Sequence, residues 1–258
     1  MASTTTTPHP AKFSEPILRH IGAMMDRYMP VTPPTWQEWL DPFGGVGRAQ
    51  LLRKHYRLVT IVELEEEWAN QAPDRVNVHV GDCKAFLKEH ADFRLAYPRY
   101  DAPFHGIVTS PCYGNRMADR HTPRNETKLD PATGQRVRTT WKRHTYRHYL
   151  DRPLTDGSTA AMQWGPAYRQ FHSETWELCS MVVRPGGLFI LNISDHYRQG
   201  QPQGVPSWHK HEIESLGFKL IRADGVQTRR LRHGKNAHDH DATRHRMPGE
   251  LVYVFRKE

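Results

Sequence analysis

The sequence predicts an α/β fold built on a mainly parallel sheet. Three observations carry this reading. Short apolar, β-branched runs recur along the chain, amphipathic stretches at helical spacing alternate with them, and small or acidic residues close several of the runs. In such a fold ligands bind beyond the carboxyl ends of the strands, so the residues closing each run are the candidates for chemistry.

Residues 16–29 put Ile17, Leu18, Ile21, Met24, Met25 and Tyr28 near helical spacing, and the proline-rich stretch 29–34 ends that helix. A short apolar segment, 36–40, runs into Asp41-Pro42-Phe43-Gly44-Gly45-Val46-Gly47. Residues 50–56 read as helix, and 57–64 as a buried strand closing on the acidic run Glu63, Glu65, Glu66 and Glu67. A strand at 76–80 leads through Gly81-Asp82 into a helix over 83–89. The run 104–109 is a strand that stops at Ser110-Pro111-Cys112-Tyr113. A polar tract, 114–165, separates it from a helix at 166–183. Arg184-Pro185-Gly186-Gly187 then forms a sharp turn into the strand 188–193. Residues 213–216 are helical with Gly217 as the stop, and strands 218–226 and 251–255 finish the sheet. The expected organisation is a disordered tail over 1–12 and one domain over 13–258, with a basic insertion at 115–165.

The formal net charge is +8, from 36 Lys and Arg against 28 Asp and Glu, which points to a polyanionic partner. Three widely spaced cysteines form neither a disulfide framework nor a zinc-finger pattern, and fit a reducing cytoplasm. No apolar run approaches the roughly 20 residues of a membrane span, so no membrane association is expected.

Three polar signals close successive strands in the order a nucleoside cofactor needs. Gly44, Gly45 and Gly47 follow a strand and let backbone approach a ligand without a clashing Cβ. Glu63 comes about 20 residues later, where a carboxylate can accept both ribose hydroxyls. Asp82 closes the next strand and can accept from an adenine amino group; its plainer reading is a helix N-cap. The glycine loop lacks the Lys-Ser/Thr ending of a phosphate-binding loop, which favours a nucleoside without a phosphate chain.

With Ser110-Pro111-Cys112-Tyr113 added, the chain resembles the DNA amino-methyltransferases, which methylate N4 of cytosine or N6 of adenine. Their glycine motif looks like DPFxGxG, here Asp41 to Gly47. Their catalytic motif is Ser, Asn or Asp, then Pro-Pro and an aromatic residue. Lys12-Phe13-Ser14-Glu15-Pro16 looks like the segment that packs near the methionine end of the cofactor in part of this family. The resemblance also extends to short phage and actinobacterial members. It implies a class I, Rossmann-like methyltransferase fold with a seven-stranded sheet and S-adenosylmethionine as cofactor. Phe13, Ser14, Asp41, Phe43, Gly44, Gly45, Gly47, Glu63 and Asp82 would hold that cofactor.

A base amino nitrogen is a poor nucleophile because its lone pair is delocalised into the ring. The Ser110 hydroxyl and Pro111 carbonyl would accept its hydrogens and turn the lone pair toward the sulfonium methyl, by positioning and electrostatics alone. Tyr113 would stack on the extruded base. Serine at the head of the motif tilts the target to cytosine N4 over adenine N6. Cys112 departs from the family, which carries a second proline there. It is either a small tolerated residue or a nucleophile of the cytosine-C5 type, although no Glu-Asn-Val motif accompanies it. A cofactor- and nucleic-acid-binding protein without turnover is the third reading.

The tract after the motif interleaves Arg120, Arg124, Arg136, Arg138, Lys142, Arg143 and Arg147 with Trp141, Tyr146 and Tyr149, as phosphate clamps beside stacking rings would. Asn115, Arg116, Arg143 and Arg147 here, with Arg230 and Arg232 of a second cationic patch, are the candidate contacts to DNA, or to RNA. His238, His240 and His245 in a loop do not make a metal site. Asn192-Ile193-Ser194-Asp195 ends a strand beside the expected pocket, without an assigned role.

Overall fold

The computed structural model describes residues 13–97, 99, 101–114, 125–129, 133–140, 150, 152–198, 201–228 and 249–258; of 125–129, 136–140 and 197–198 it describes the backbone alone. A seven-stranded sheet organises them. Its strands are β1 (Gln37–Asp41), β2 (Arg57–Glu63), β3 (Val78–Val80), β4 (Phe104–Thr109), β7 (Val183–Ile193), β10 (Phe218–Gln227) and β11 (Gly249–Lys257). Their spatial order is β10-β11-β7-β4-β1-β2-β3. β1 pairs in parallel with β2 and β4, β2 with β3, and β4 with β7, while β11 runs antiparallel to β7 and β10. The chain leaves β1 for β2 and β3 on one side and returns to β4 on the other. This reversal opens a crevice at the carboxyl ends of β1 and β4. Strand order and the single antiparallel strand are those of the class I, Rossmann-like methyltransferase fold.

Period-two alternation sends side chains to two layers. Trp39, Val59, Ile61, Val108, Ile190, Val252 and Val254 face α1 (Glu15–Tyr28), which buries Ile17, Leu18, Ile21, Met24 and Met25 against them. Leu40, Val62, Ile107, Phe189, Leu191, Tyr253 and Phe255 face the other layer. There they meet α3 (Cys83–Ala96), α4 (Pro166–Val182) and α5 (Val205–Ser215). A short α2 (Glu66–Ala69) follows β2, and two small antiparallel pairs, β5 (Asn125–Leu129) with β6 (Arg136–Thr140) and β8 (Tyr197–Arg198) with β9 (Gln201–Pro202), lie outside the main sheet.

Several expectations need correction. Residues 50–56 are not a helix: a 3-10 turn over Arg48–Leu52 ends as Arg53 becomes extended, and a bridge from Lys54 to Arg57 reverses the chain. Tyr56, at φ 65°, completes that reversal. Only Val78–Val80 of 76–80 is strand, because Arg75–Asn77 is a 3-10 turn held by Asp74. The sharp turn at 184–187 lies within β7. Its pairing with β4 jumps from Phe104 opposite Val183 to Gly106 opposite Leu188, so the four intervening residues bulge out of one continuous strand. The helix before Gly217 begins at Val205, with Pro206 in its first turn.

Candidate active site

Asp41 ends β1 fully buried. Its Oδ1 accepts from the Phe43 amide at 3.0 Å and from the Thr109 hydroxyl at 2.7 Å. Oδ2 is buried with no hydrogen-bond partner among the described residues. Burial pushes this carboxyl up to about 7, with the two hydrogen bonds pulling the other way. The loop that follows turns through Gly45 and Gly47, at φ 54° and 72°. Close approach is needed here, but to the protein itself. A Cβ on Gly44 would sit 2.7 Å from Ile61 Cβ, and one on Gly47 2.6 Å from Ala72 Cβ. These two glycines press the loop against β2 and the chain beyond α2.

Glu63, half-buried at the end of β2, fixes the loop from the other side. Its Oε2 accepts from the Gly45 amide at 2.7 Å and its Oε1 from the Glu65 amide at 2.9 Å. Burial raises this carboxyl to about 7, and the nearby charges of Glu65 and Asp41 add to the shift. Two carboxylates with elevated pKa therefore flank one glycine loop.

Asp82 closes the strand as expected, and its Oδ1 caps α3 by accepting from Lys84 N at 2.6 Å and Ala85 N at 3.1 Å. The cap engages Oδ1 alone. Phe13 is buried in the layer of α1, and Ser14 is the N-cap residue of α1 without a side-chain capping bond. Ser14 Oγ is buried and has no hydrogen-bond partner among the described residues. Phe43 packs against Phe171, His172 and Trp176 of α4, so its ring anchors the loop to the helix layer.

The residues after β4 form a polar cluster that the sequence reading only half contained. Ser110 Oγ lies 3.1 Å from the Tyr113 hydroxyl, which donates to Glu250 Oε2 at 3.1 Å. Asn192 Nδ2 donates to Ser110 Oγ at 3.1 Å and to Glu250 Oε2 at 2.6 Å. Asn192 ends β7 and Glu250 begins β11, so adjacent strands bring them together across 58 residues of sequence. No local motif marks Glu250, and nothing short of the strand pairing would have found it.

Pro111 is buried, and the Cys112 carbonyl is held from behind by a chain of buried groups. Trp176 Nε1 donates to His209 Nδ1 at 3.0 Å, which leaves the proton of the neutral imidazole on Nε2. That nitrogen lies 3.0 Å from the Tyr168 hydroxyl, which donates to the Cys112 carbonyl at 2.6 Å. Burial holds His209 well below the usual histidine range, so it stays neutral. The Cys112 side chain packs with Val46, Trp68, Leu150, Leu154 and Ala160, in an apolar cluster separate from the Ser110 group.

Part of the 115–165 tract packs back onto the domain instead of forming a solvated loop. Arg152 Nη2 donates to Glu65 Oε2 at 2.7 Å and to Glu67 Oε2 at 2.6 Å. The Thr155 amide and hydroxyl both bond the Glu65 carboxylate at 2.9 Å, and Glu65 is almost fully buried. Ala160 lies on Trp68, and Trp164 N donates to Gly114 O at 3.1 Å. Residues 152–164 are thus a strap from the end of β2 to the chain after β4. Asn115, Arg116, Arg143, Arg147, Arg230 and Arg232 lie outside the described residues, as do His238, His240, His245 and the tail 1–12. Among the described residues, no group of three or more His, Cys, Asp or Glu is placed to hold a metal ion, and no helix is long and apolar enough to cross a membrane.

Fold and site together define a class I methyltransferase architecture with a carboxylate-flanked glycine loop beside a Ser-Pro-Cys-Tyr turn. Similar solved structures include an S-adenosylmethionine-dependent methyltransferase from Archaeoglobus fulgidus, at 14% identity over 93% of this chain and 94% of that one, with a TM-score of 0.49. TrmN from Thermus thermophilus is 14% identical over 94% of this chain and 49% of its own, with a TM-score of 0.46. The T. thermophilus 16S rRNA N2 G1207 methyltransferase RsmC, in complex with AdoMet and guanosine, is 12% identical over 97% of this chain and 44% of its own, with a TM-score of 0.43. This chain spans about half the length of TrmN and less than half that of RsmC. No protein-family model and no curated protein matches the sequence. Strand order, not these likenesses, carries the fold.

Proposed function

We propose that this chain is a cytoplasmic S-adenosylmethionine-dependent methyltransferase acting on an exocyclic amino group of a base in DNA, with cytosine N4 ahead of adenine N6 and RNA as the other nucleic-acid substrate. One observation supports it most. Thr109, the residue before Ser110, bonds the same Asp41 carboxylate oxygen that fixes the glycine loop, so cofactor loop and catalytic turn share one anchor.

The residues present fit the cofactor. Asp41 Oδ2 and Ser14 Oγ are buried polar atoms without partners among the described residues, and Gly45 leads the loop with a left-handed backbone. Asp41 to Gly47, Phe13 and Ser14 would hold the methionine end, Glu63 the ribose and Asp82 the adenine. When bound, the cofactor supplies an electrophilic methyl on a sulfonium. Ser110 and the Pro111 carbonyl accept the hydrogens of the amine and orient its lone pair, and Tyr113 offers the base a ring. Proline rigidity and the Tyr168 bond to Cys112 hold the turn in place. The positive net charge favours a polyanion.

Packing of the half-buried Cys112 side chain against the Trp68 and Ala160 cluster, apart from the Ser110 group, speaks against the C5 reading. The test is isothermal calorimetry with S-adenosylmethionine, paired with methylation of unmodified DNA by the natural protein and by Ser110→Ala. Binding with label transfer that Ser110→Ala abolishes supports the reading. Absence of binding overturns it, and binding without transfer to DNA or RNA leaves the non-catalytic reading in its place.

A further inference from the structure

We infer that Glu250 is a positioning residue that sets the hydrogen-bond polarity of the catalytic turn, committing the Ser110 proton inward so that Ser110 faces substrate as an acceptor. The inference rests on the proposed transfer to an amine and deepens it.

A carboxylate only accepts, so the Tyr113 hydroxyl, 3.1 Å from Glu250 Oε2, spends its one proton there. In its 3.1 Å contact with Ser110 Oγ, Tyr113 must therefore accept, and Ser110 donates. Asn192 Nδ2 reinforces this order. Its short bond to Glu250 Oε2, at 2.6 Å, fixes which end of the amide is the donor, and the second hydrogen of the same nitrogen points between Ser110 Oγ at 3.1 Å, the nearer acceptor, and the Tyr113 hydroxyl at 3.4 Å. Ser110 oxygen has then given its proton and filled one lone pair. Ser110 is half-buried, and its second lone pair is left for a donor from outside the cluster.

A second observation points to the same kind of ligand. Asn192 is 1% exposed, and its Oδ1 is buried with no hydrogen-bond partner among the described residues. The amide that feeds Ser110 thus carries an unfilled acceptor of its own. A cluster whose unfilled sites are acceptors suits a ligand that brings N–H groups. It does not suit a ring carbon or a carbonyl. If Glu250 were neutral and able to donate, the Ser110 proton could turn outward and meet the amine hydrogens head-on.

The experiment is a cycle of Glu250→Gln, Tyr113→Phe and the double variant, assayed with methyl-labelled S-adenosylmethionine on pools of unmodified DNA and of RNA transcripts. Glu250→Gln is expected to lower kcat about tenfold or more, with KM for S-adenosylmethionine within about twofold. Glu250→Asp is expected to recover part of the loss. Because Glu250 acts through Tyr113 and Asn192 together, the loss in the double variant should be smaller than the product of the two single losses. Losses that multiply, or a Glu250→Gln protein with full kcat, would overturn the role.

A second arm needs no turnover. The carboxylate stretch of Glu250, assigned by its loss in the infrared difference spectrum of Glu250→Gln, should shift in Tyr113→Phe, which removes a hydrogen-bond donor to it. An unmoved band overturns the proton order whatever the activity. If the natural protein transfers label to neither nucleic acid, the functional reading fails and the catalytic role fails with it, while the infrared band still decides the polarity of the cluster.

Discussion

Thr109 donates its hydroxyl to Asp41 Oδ1 at 2.7 Å, joining the carboxyl ends of β4 and β1 where the sheet reverses direction. Both residues are fully buried. Thr109→Val keeps the shape and removes the donor, leaving the buried carboxyl with only the Phe43 amide on that oxygen. The expected cost is about 1–3 kcal/mol, together with weaker S-adenosylmethionine binding because the loop shares the anchor. Urea unfolding and calorimetry check it. Unchanged stability and affinity would mean the two motifs are merely adjacent.

With Glu63 in its proposed role at the ribose, its elevated pKa of about 7 should make cofactor affinity depend on pH. The ionised carboxylate is the form that accepts ribose hydroxyls without spending a donor. Below about 7 the ligand-free protein holds a proton there, which binding must expel. Affinity should therefore fall as pH drops from 8 to 6, by at most about tenfold per unit, and be level above the midpoint. Glu63→Gln should bind more weakly at pH 8 and show a flatter dependence. Calorimetry in buffers of differing ionisation enthalpy would also register the released proton.

Cys112→Ala should retain methyl transfer within about threefold, since its side chain packs in the Trp68 cluster. The unmodified protein should form no stable adduct with 5-fluorocytosine DNA. An adduct that disappears in Cys112→Ser would restore the covalent mechanism.

Tyr168→Phe removes the hydroxyl between His209 and the Cys112 carbonyl. It leaves a buried imidazole N–H and a carbonyl without their partner, a loss of about 1–3 kcal/mol. The turn should also loosen, so kcat should fall more than the affinity for S-adenosylmethionine. Thermal unfolding and kinetics on one preparation separate the two effects.

Much of the fold was legible because burial on two faces writes itself as alternation. Trp39 and Leu40, Ile61 and Val62, and Ile107 and Val108 each send neighbouring side chains to opposite layers. Glu63 was legible because a carboxylate closing β2 falls at a regular distance from the glycine loop. The glycines were legible, but part of the reason was not. Gly44 and Gly47 answer to Ile61 and Ala72, contacts that only the folded loop creates.

What stayed hidden depends on long-range pairing. Glu250 reaches Asn192 only through the pairing of β7 with β11, and Arg152 reaches Glu65 across 87 residues. α5 was visible only at its last turn because His209 and His211 interrupt the apolar pattern. His209 is nevertheless buried, between Trp176 and Tyr168. A polar residue in a core is readable only once its partners are known.

The proposed transfer of a methyl group to a base amine by the Ser110 turn is tested by mass spectrometry of nucleosides from DNA and RNA incubated with methyl-labelled S-adenosylmethionine and the natural protein or Ser110→Ala. Label is expected on an exocyclic nitrogen, N4-methyldeoxycytidine first, and should be lost in Ser110→Ala. Label on a ring carbon, or undiminished labelling by Ser110→Ala, would contradict it.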